Sequence, residues 1–251
     1  MTSASKEQAP YDSAFFQRYV GNSRLSAEAI APLLLAEMPI KSAVDVGCGT
    51  APWAATFLKH GVPDVFGVDG DYVDRNLLEI PKEKFIPKDL DKPFDLGRTF
   101  DLAISVEVAE HLTPSRAPGF VADLTRLAPI VMFSAALPGQ GGVDHRNERW
   151  LSYWVNLFQT HNYRPLDFIR YQVWNNENVM FYYRQNITVF CSADRYPTLA
   201  HLDHKTPFDL VHPELLQSKT HAVEEPTLGY LLHSLPKAIS RSIRFRLSGA
   251  S

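Results

Sequence analysis

A β-prone run, Ala43-Val44-Asp45-Val46, breaks without a linker into Gly47-Cys48-Gly49-Thr50-Ala51. Two glycines directly after a strand let the backbone turn tightly and bring a ligand close to the main chain. In α/β folds such turns lie at the carboxyl ends of buried strands, where ligands bind. Trp53 to His60 reads as the helix that follows, with Gly61 as its C-terminal stop. Val65-Phe66-Gly67-Val68 then reads as a second strand ending at Asp69. Asp69 comes 22 residues after Gly47. At that spacing a carboxylate accepts hydrogen bonds from ribose hydroxyls in nucleoside-binding α/β folds.

The alternation continues along the chain. Residues 84–86, 100–106 and 130–134 read as strands, and residues 115–127 as a helix. A helix from about Arg24 to Met38 precedes the first strand, and residues 1–10 read as a loose tail. Strands separated by helical patterns predict an α/β fold with a parallel sheet covered by helices on both faces. Later, Trp150–His161 reads as a helix, and Phe168–Trp174 and Gln185–Cys191 alternate like antiparallel strands. The expected division is an N-terminal helical cap or substrate lid over 1–40, a core over 41–195 and a C-terminal extension over 196–251.

Composition narrows the function classes. A formal charge of −3 disfavours a nucleic-acid binder held by counterion release. Two cysteines, Cys48 and Cys191, make no disulfide framework, and no run of about 20 apolar residues spans a bilayer, so a cytoplasmic protein is expected. Near the C-terminus Lys237, Arg241, Arg244 and Arg246 interleave with Ile239, Ile243, Phe245 and Leu247, without an acid among them. This end reads either as a tail covering the domain or as a weak contact with an anionic membrane surface or partner.

Two kinds of nucleoside ligand compete for the glycine turn. A dinucleotide needs a third glycine for its pyrophosphate, and Pro52 and Trp53 crowd that approach. Asp45, an acid inside the first strand, suits a cationic ligand better. Asp45-x-Gly47-x-Gly49-Thr50 resembles motif I of the class I S-adenosylmethionine-dependent methyltransferases. Gly67-Val68-Asp69 resembles that family's ribose motif, and Lys88-Asp89-Leu90 its acidic turn beside the adenine. Phe100-Asp101-Leu102-Ala103-Ile104-Ser105 resembles its fourth strand, followed by Glu107-Val108-Ala109-Glu110-His111-Leu112. The likeness spans about residues 40–191 and departs at Ala51, where a third glycine is usual. It implies a Rossmann-like, seven-stranded, mostly parallel sheet whose last strand is antiparallel. It also implies S-adenosylmethionine as cofactor, bound by Asp45, Gly47, Cys48, Gly49, Asp69, Asp89, Leu90 and Glu107. Cys48 reads as a small packing residue of the turn rather than a nucleophile.

Methyl transfer from a sulfonium is an in-line displacement, and a hydroxyl acceptor also needs a base or a metal. On a helical turn Glu107, Glu110 and His111 share one face, which is half of a hard divalent site. Asp144-His145-Arg146-Asn147-Glu148 follows the flexible Gly139-Gln140-Gly141-Gly142. The combination resembles ubiquinone-pathway O-methyltransferases and small-RNA 2′-O-methyltransferases. That resemblance implies a Mg2+-like ion on Glu107, Glu110, His111 and His145. Without a metal, His145 is the expected general base and His111 the second choice. Trp150, Trp154, Tyr183 and Arg184 are the candidate acceptor-binding residues, although Trp150 and Trp154 at helical spacing also suit a core. Tyr11-Asp12-x-Ala14-Phe15-Phe16, the Pro138–Gly142 loop, His145-x-Asn147-Glu148 and Tyr183-Arg184-Gln185-Asn186 together resemble a bacterial subfamily that accompanies glycan or natural-product assembly. The implied acceptor is a small molecule, a sugar or polyol hydroxyl, with an amine, phenol or carboxylate as the alternatives. A non-catalytic binding protein is a further alternative, and the oligomeric state is left open.

Overall fold

The computed structural model describes residues 13–205, 207–224 and 228–248. Residues 1–10 and the Tyr11-Asp12 pair lie outside the described residues, as do the side chains of Ala14, Phe15, Phe16, Ile243, Arg244, Phe245, Arg246 and Leu247. Residues Met1–Leu210 form one compact unit and Val211–Ser251 a second.

In the first unit α1 (Ser13–Glu37) leads into β1 (Ser42–Val46), α2 (Pro52–Lys59), β2 (Asp64–Asp69), β3 (Phe85–Pro87) and β4 (Leu102–Val106). Then come α3 (Ala117–Leu127), β5 (Ile130–Ser134), α4 (Leu151–Thr160), β6 (Tyr163–Leu166), α5 (Ile169–Val173), α6 (Phe181–Asn186), β7 (Thr188–Ser192) and α7 (Tyr196–Leu199). The sheet order is β3-β2-β1-β4-β5-β7-β6. Strand β7 runs antiparallel to both β5 and β6, and the other pairs are parallel. The seven-stranded, mostly parallel expectation therefore holds. Strand order reverses between β1 and β4, and this opens a crevice at their carboxyl ends.

Burial explains why these segments read so clearly. Strands β4 and β5 are buried at every residue, as central strands covered on both faces must be. Alternate side chains feed two cores. Ala43, Leu102, Ile104, Ile130 and Met132 face one side, with Ile30 and Leu34 of α1 and Phe57 of α2. Val44, Val46, Ala103, Val131 and Phe133 face the other, with Phe120 and Leu124 of α3 and Trp154 and Phe158 of α4. The part of α1 expected in a separate cap thus contributes Ala27, Ile30, Ala31, Leu34 and Met38 to the main core. Likewise, residues 196–210 of the expected C-terminal extension belong to the first unit.

Two expectations are corrected. Phe168–Trp174 is not a strand: Ile169–Val173 is helix α5, and Tyr163–Leu166 is the strand instead. Pro165 disguised β6, because proline is tolerated in a strand only at a sheet edge, and β6 pairs with β7 alone. In α5, Arg170 pairs with Asp167 while its guanidinium donates to the carbonyls of Gln185 and Phe208. Those bonds use a polar residue that sequence alternation assigns to solvent. Trp154, expected against an acceptor, is fully buried. Its ring lies 5.1 Å from that of Phe133, beside the stacked pair Phe158 and Phe190 at 3.8 Å.

This placement predicts that Trp154→Ala costs about 3–5 kcal/mol of stability. Trp150→Ala, at an exposed site, should stay within about 0.5 kcal/mol. Urea unfolding of the two variants checks the contrast.

Candidate active site

The glycine turn at the end of β1 is built from left-handed backbone. Gly47, Gly49 and Ala51 have φ of 83°, 54° and 67°. Ala51 adopts at this point the conformation that favours glycine, which explains why a third glycine is usual there. A Cβ on Gly47 would lie 2.4 Å from a Val108 methyl, so the turns after β1 and β4 pack directly on one another. Asp69, the last residue of β2, reaches the turn. Its Oδ2 accepts from the Gly49 N–H at 2.7 Å, and its Oδ1 accepts from the Gly70 N–H at 2.6 Å and the Tyr72 hydroxyl at 2.5 Å.

The remaining cofactor candidates divide. Asp45 points to the α2 side, where the Ala54 N–H donates to it at 3.3 Å. Burial pushes its carboxyl up to about 8. Cys48 turns its sulfur against Gly67, and burial holds the thiol well above its ordinary value, as a packing residue requires. Leu90 is buried. Asp89 is exposed, pairs with Lys92 at 2.9 Å and accepts from the Asp91 N–H. Its carboxylate thus caps this turn with one oxygen and meets Lys92 with the other.

Glu107 corrects the expected helical turn. It adopts φ of 54°, a strained value for a residue with a side chain. Its carboxylate is engaged by amide side chains while it stays beside the Glu110 carboxyl. Gln140 donates to Glu107 Oε2 at 2.9 Å and Asn186 to Oε1 at 3.1 Å. Gln140 Oε1 in turn accepts from Asn186 at 2.9 Å and Gln185 at 3.2 Å. Burial raises the Glu107 carboxyl despite these donors.

The other three expected metal ligands do converge. One ligand atom each from Glu110, His111 and His145 lie within 4.8 Å of one another. The two imidazoles meet edge to face, with centroids 4.9 Å apart. Glu110 is fully buried, and neither carboxylate oxygen has a hydrogen-bond partner. Burial, then the Glu107 charge, holds its carboxyl well above the ordinary range. Burial and the neighbouring His145 push His111 down to about 4, so its imidazole is neutral at neutral pH. An orphaned buried carboxylate beside two imidazoles fits a divalent cation, whose charge would replace the missing partners.

Glu148 positions His145. It accepts from the N–H groups of Gly139 and Gly141, both at 2.7 Å, and from His145 Nδ1 at 3.0 Å. Burial pushes the Glu148 carboxyl up, but these donors outweigh it and leave it below its ordinary value. An ionised Glu148 can only accept, so Nδ1 carries a proton, and in the neutral imidazole Nε2 holds the lone pair. The N–H groups of Arg146 and Asn147 donate to the Glu110 carbonyl at 2.8 and 2.9 Å, which fastens this loop over the cluster. A Cβ on Gly142 would lie 2.2 Å from His145 Nε2.

The candidate acceptor residues do not behave alike. Trp154 is core, as described above. Tyr183 is buried edge-on to Trp53, with its hydroxyl 3.2 Å from Ser23 Oγ, and so forms wall rather than surface. Arg184 is buried and donates to the Trp174 carbonyl at 3.3 Å. Trp150 alone of the four has substantial exposure. Gln140, Gln185, Asn186 and Glu148 carry no site role in the sequence reading. Their signal was present only as unassigned polar residues in the 138–148 and 183–186 segments.

A family profile described as "Methyltransferase domain" matches residues 16–178. No curated protein matches this sequence. Among solved structures, the sugar N-methyltransferase KedS8 from Streptoalloteichus sp ATCC 53650 is 16% identical, with TM-score 0.59, covering 76% of this chain and 97% of that one. CalS10 from Micromonospora echinaspora, an amino pentose methyltransferase of calicheamicin biosynthesis solved with S-adenosylmethionine bound, is 15% identical. Its TM-score is 0.52, covering 74% and 99%. Magnesium protoporphyrin IX methyltransferase from Synechocystis PCC 6803 is 13% identical, with TM-score 0.53, covering 74% and 90%.

The buried carboxyl gives a signed prediction. A carboxyl raised by folding contributes stability below its unfolded value, and that contribution is lost as pH rises through the folded value. In chelator-treated protein, Glu110→Gln should therefore unfold at higher temperature than the parent above about pH 5. The gap should widen with pH and close below about pH 4. Thermal melts across pH measure it.

Proposed function

The chain belongs to the methyltransferase domain family, and from that premise we propose that it transfers a methyl group from S-adenosylmethionine to an oxygen of a small-molecule acceptor, a sugar or polyol hydroxyl. The observation that carries this reading is the meeting of two features. The Gly47–Gly49 turn, with Asp69 fastened to it, packs through Val108 against the loop bearing Glu107 and Glu110. A cofactor cradle and a proton- or cation-handling cluster are thereby neighbours at the strand-order reversal.

When bound, S-adenosylmethionine supplies a methyl carbon on a sulfonium whose departing electron pair stays on sulfur. The chain's residues do the rest. The glycine turn admits the cofactor's backbone-facing edge, and Asp69 accepts from the ribose hydroxyls; the Tyr72 contact supports Oδ1 being reachable by a hydroxyl donor. A sulfonium in the crevice would draw the Asp45 and Glu107 carboxyls, held up by burial, toward their ionised forms. His145 Nε2 takes the acceptor's proton as the new oxygen–carbon bond forms, and Glu148 stabilises the imidazolium that results. If the cluster instead holds a Mg2+-like ion, Glu110, His111 and His145 are its ligands, with Glu107 outside them. The ion would lower the pKa of the acceptor hydroxyl. Amine acceptors form the second reading, favoured by the sugar N-methyltransferase and amino pentose methyltransferase among the similar structures.

Calorimetry with S-adenosylmethionine should show binding, weakened roughly 10–100-fold by Asp69→Ala through loss of charge-assisted hydrogen bonds. No binding by the parent would reduce the chain to an inert fold. Labelled methyl transfer to a panel of glycosides, phenols and amines then tests the acceptor class. His145→Ala should lower turnover by about 10²–10⁴. Loss with chelator identifies the metal role, and chelator-insensitive loss the base role. Turnover unchanged in both arms would remove the cluster from the chemistry.

A further inference from the structure

The second unit contains α8 (Pro213–Glu224) and α9 (Leu228–Ser248), and nothing in methyl transfer uses α9. Five of its large aliphatic side chains are exposed: Leu228 at 73%, Leu231 at 49%, Leu232 at 64%, Leu235 at 56% and Ile239 at 52%. At 3.6 residues per turn these positions fall within an arc of about 100°, one continuous stripe. Lys237 and Arg241, both exposed, fall on the opposite side. From Pro226 onward the sequence has four Lys and Arg residues and no acid, within a chain whose formal charge is −3. The segment that carries the apolar stripe is thus a locally cationic one.

We propose that α9 docks this protein on an anionic lipid surface. Its leucine stripe enters the boundary between headgroups and acyl chains, and Lys237 and Arg241 remain at headgroup level. No helix of the described residues is long and apolar enough to cross a membrane, so α9 lies in the interface. Charge separates this occupant from others. A second copy of α9 would meet the stripe with cations and no acids, and so would offer no opposite charge to fix its register. Polyanionic nucleic acid would satisfy the cations but leave five aliphatic side chains in water. An anionic bilayer takes up both features at once.

The test is co-sedimentation of the full chain with phosphatidylcholine vesicles, with and without phosphatidylserine, across a salt series. The expected result is binding that requires phosphatidylserine and falls as salt rises. Lys237→Gln with Arg241→Gln, both at exposed positions, should weaken it roughly 25-fold at low salt, about fivefold per cation. Leu231→Ser with Leu235→Ser should weaken it at least about tenfold. No sedimentation with phosphatidylserine vesicles at low salt overturns the proposal, and so does binding that both double variants leave unchanged. Light scattering that shows a concentration-dependent dimer, abolished by the leucine variant, without vesicle binding would assign the stripe to a second copy instead.

Discussion

Carboxyl groups held away from water govern the cleft. Asp45 and Glu110 are buried, and Glu107 is only partly open to solvent. Burying an ionised carboxylate without partners is costly, so each must gain donors, take up a proton or face a cation. Glu107 takes the first course through Gln140 and Asn186. Asp45 has one weak donor and is raised to about 8. Glu110 has no close donor, and burial outweighs what the nearby backbone of Glu110 and Ala136 contributes. The surrounding architecture follows from these differences. The amide frame explains why Gln140, Gln185 and Asn186 are buried polar residues, and the 138–148 loop brings one imidazole, His145, beside Glu110 and gives Glu148 its backbone donors.

Most of the fold was legible because burial is continuous where the sheet is central. Val44, Val46, Leu102, Ile104 and Met132 announce strands covered on both faces, and Gly47, Gly49 and Asp69 mark the crevice through backbone and spacing requirements. The misread segments had ambiguous physics. Phe168–Trp174 alternates apolar and polar residues, yet its polar Arg170 is consumed by a buried ion pair and carbonyl contacts that no local pattern encodes. Trp154 has the composition of a stacking residue and the packing of a core one.

The candidate site was legible in its ligand types and less so in its geometry. A positive φ at a glutamate leaves no trace in sequence, so Glu107 was grouped with Glu110 and His111 when its backbone turns it toward Gln140 and Asn186. The amide frame joins residues from β4's end, the loop after β5 and the last turn of α6. Convergence over such separations arises from topology rather than from any short motif. His145 is legible as a candidate base, whereas its pairing with Glu148 three residues on is assigned by the structure alone.

The proline that disguised β6 has a counterpart at the opposite margin of the sheet. The terminal strands in the order, β3 and β6, span Phe85–Pro87 and Tyr163–Leu166, so each is short and each contains a proline. A proline has no N–H to offer an incoming strand, and so few residues give little else to pair with. Each margin is therefore a poor template for strand addition. The sheet thereby carries a built-in discouragement of edge-to-edge aggregation.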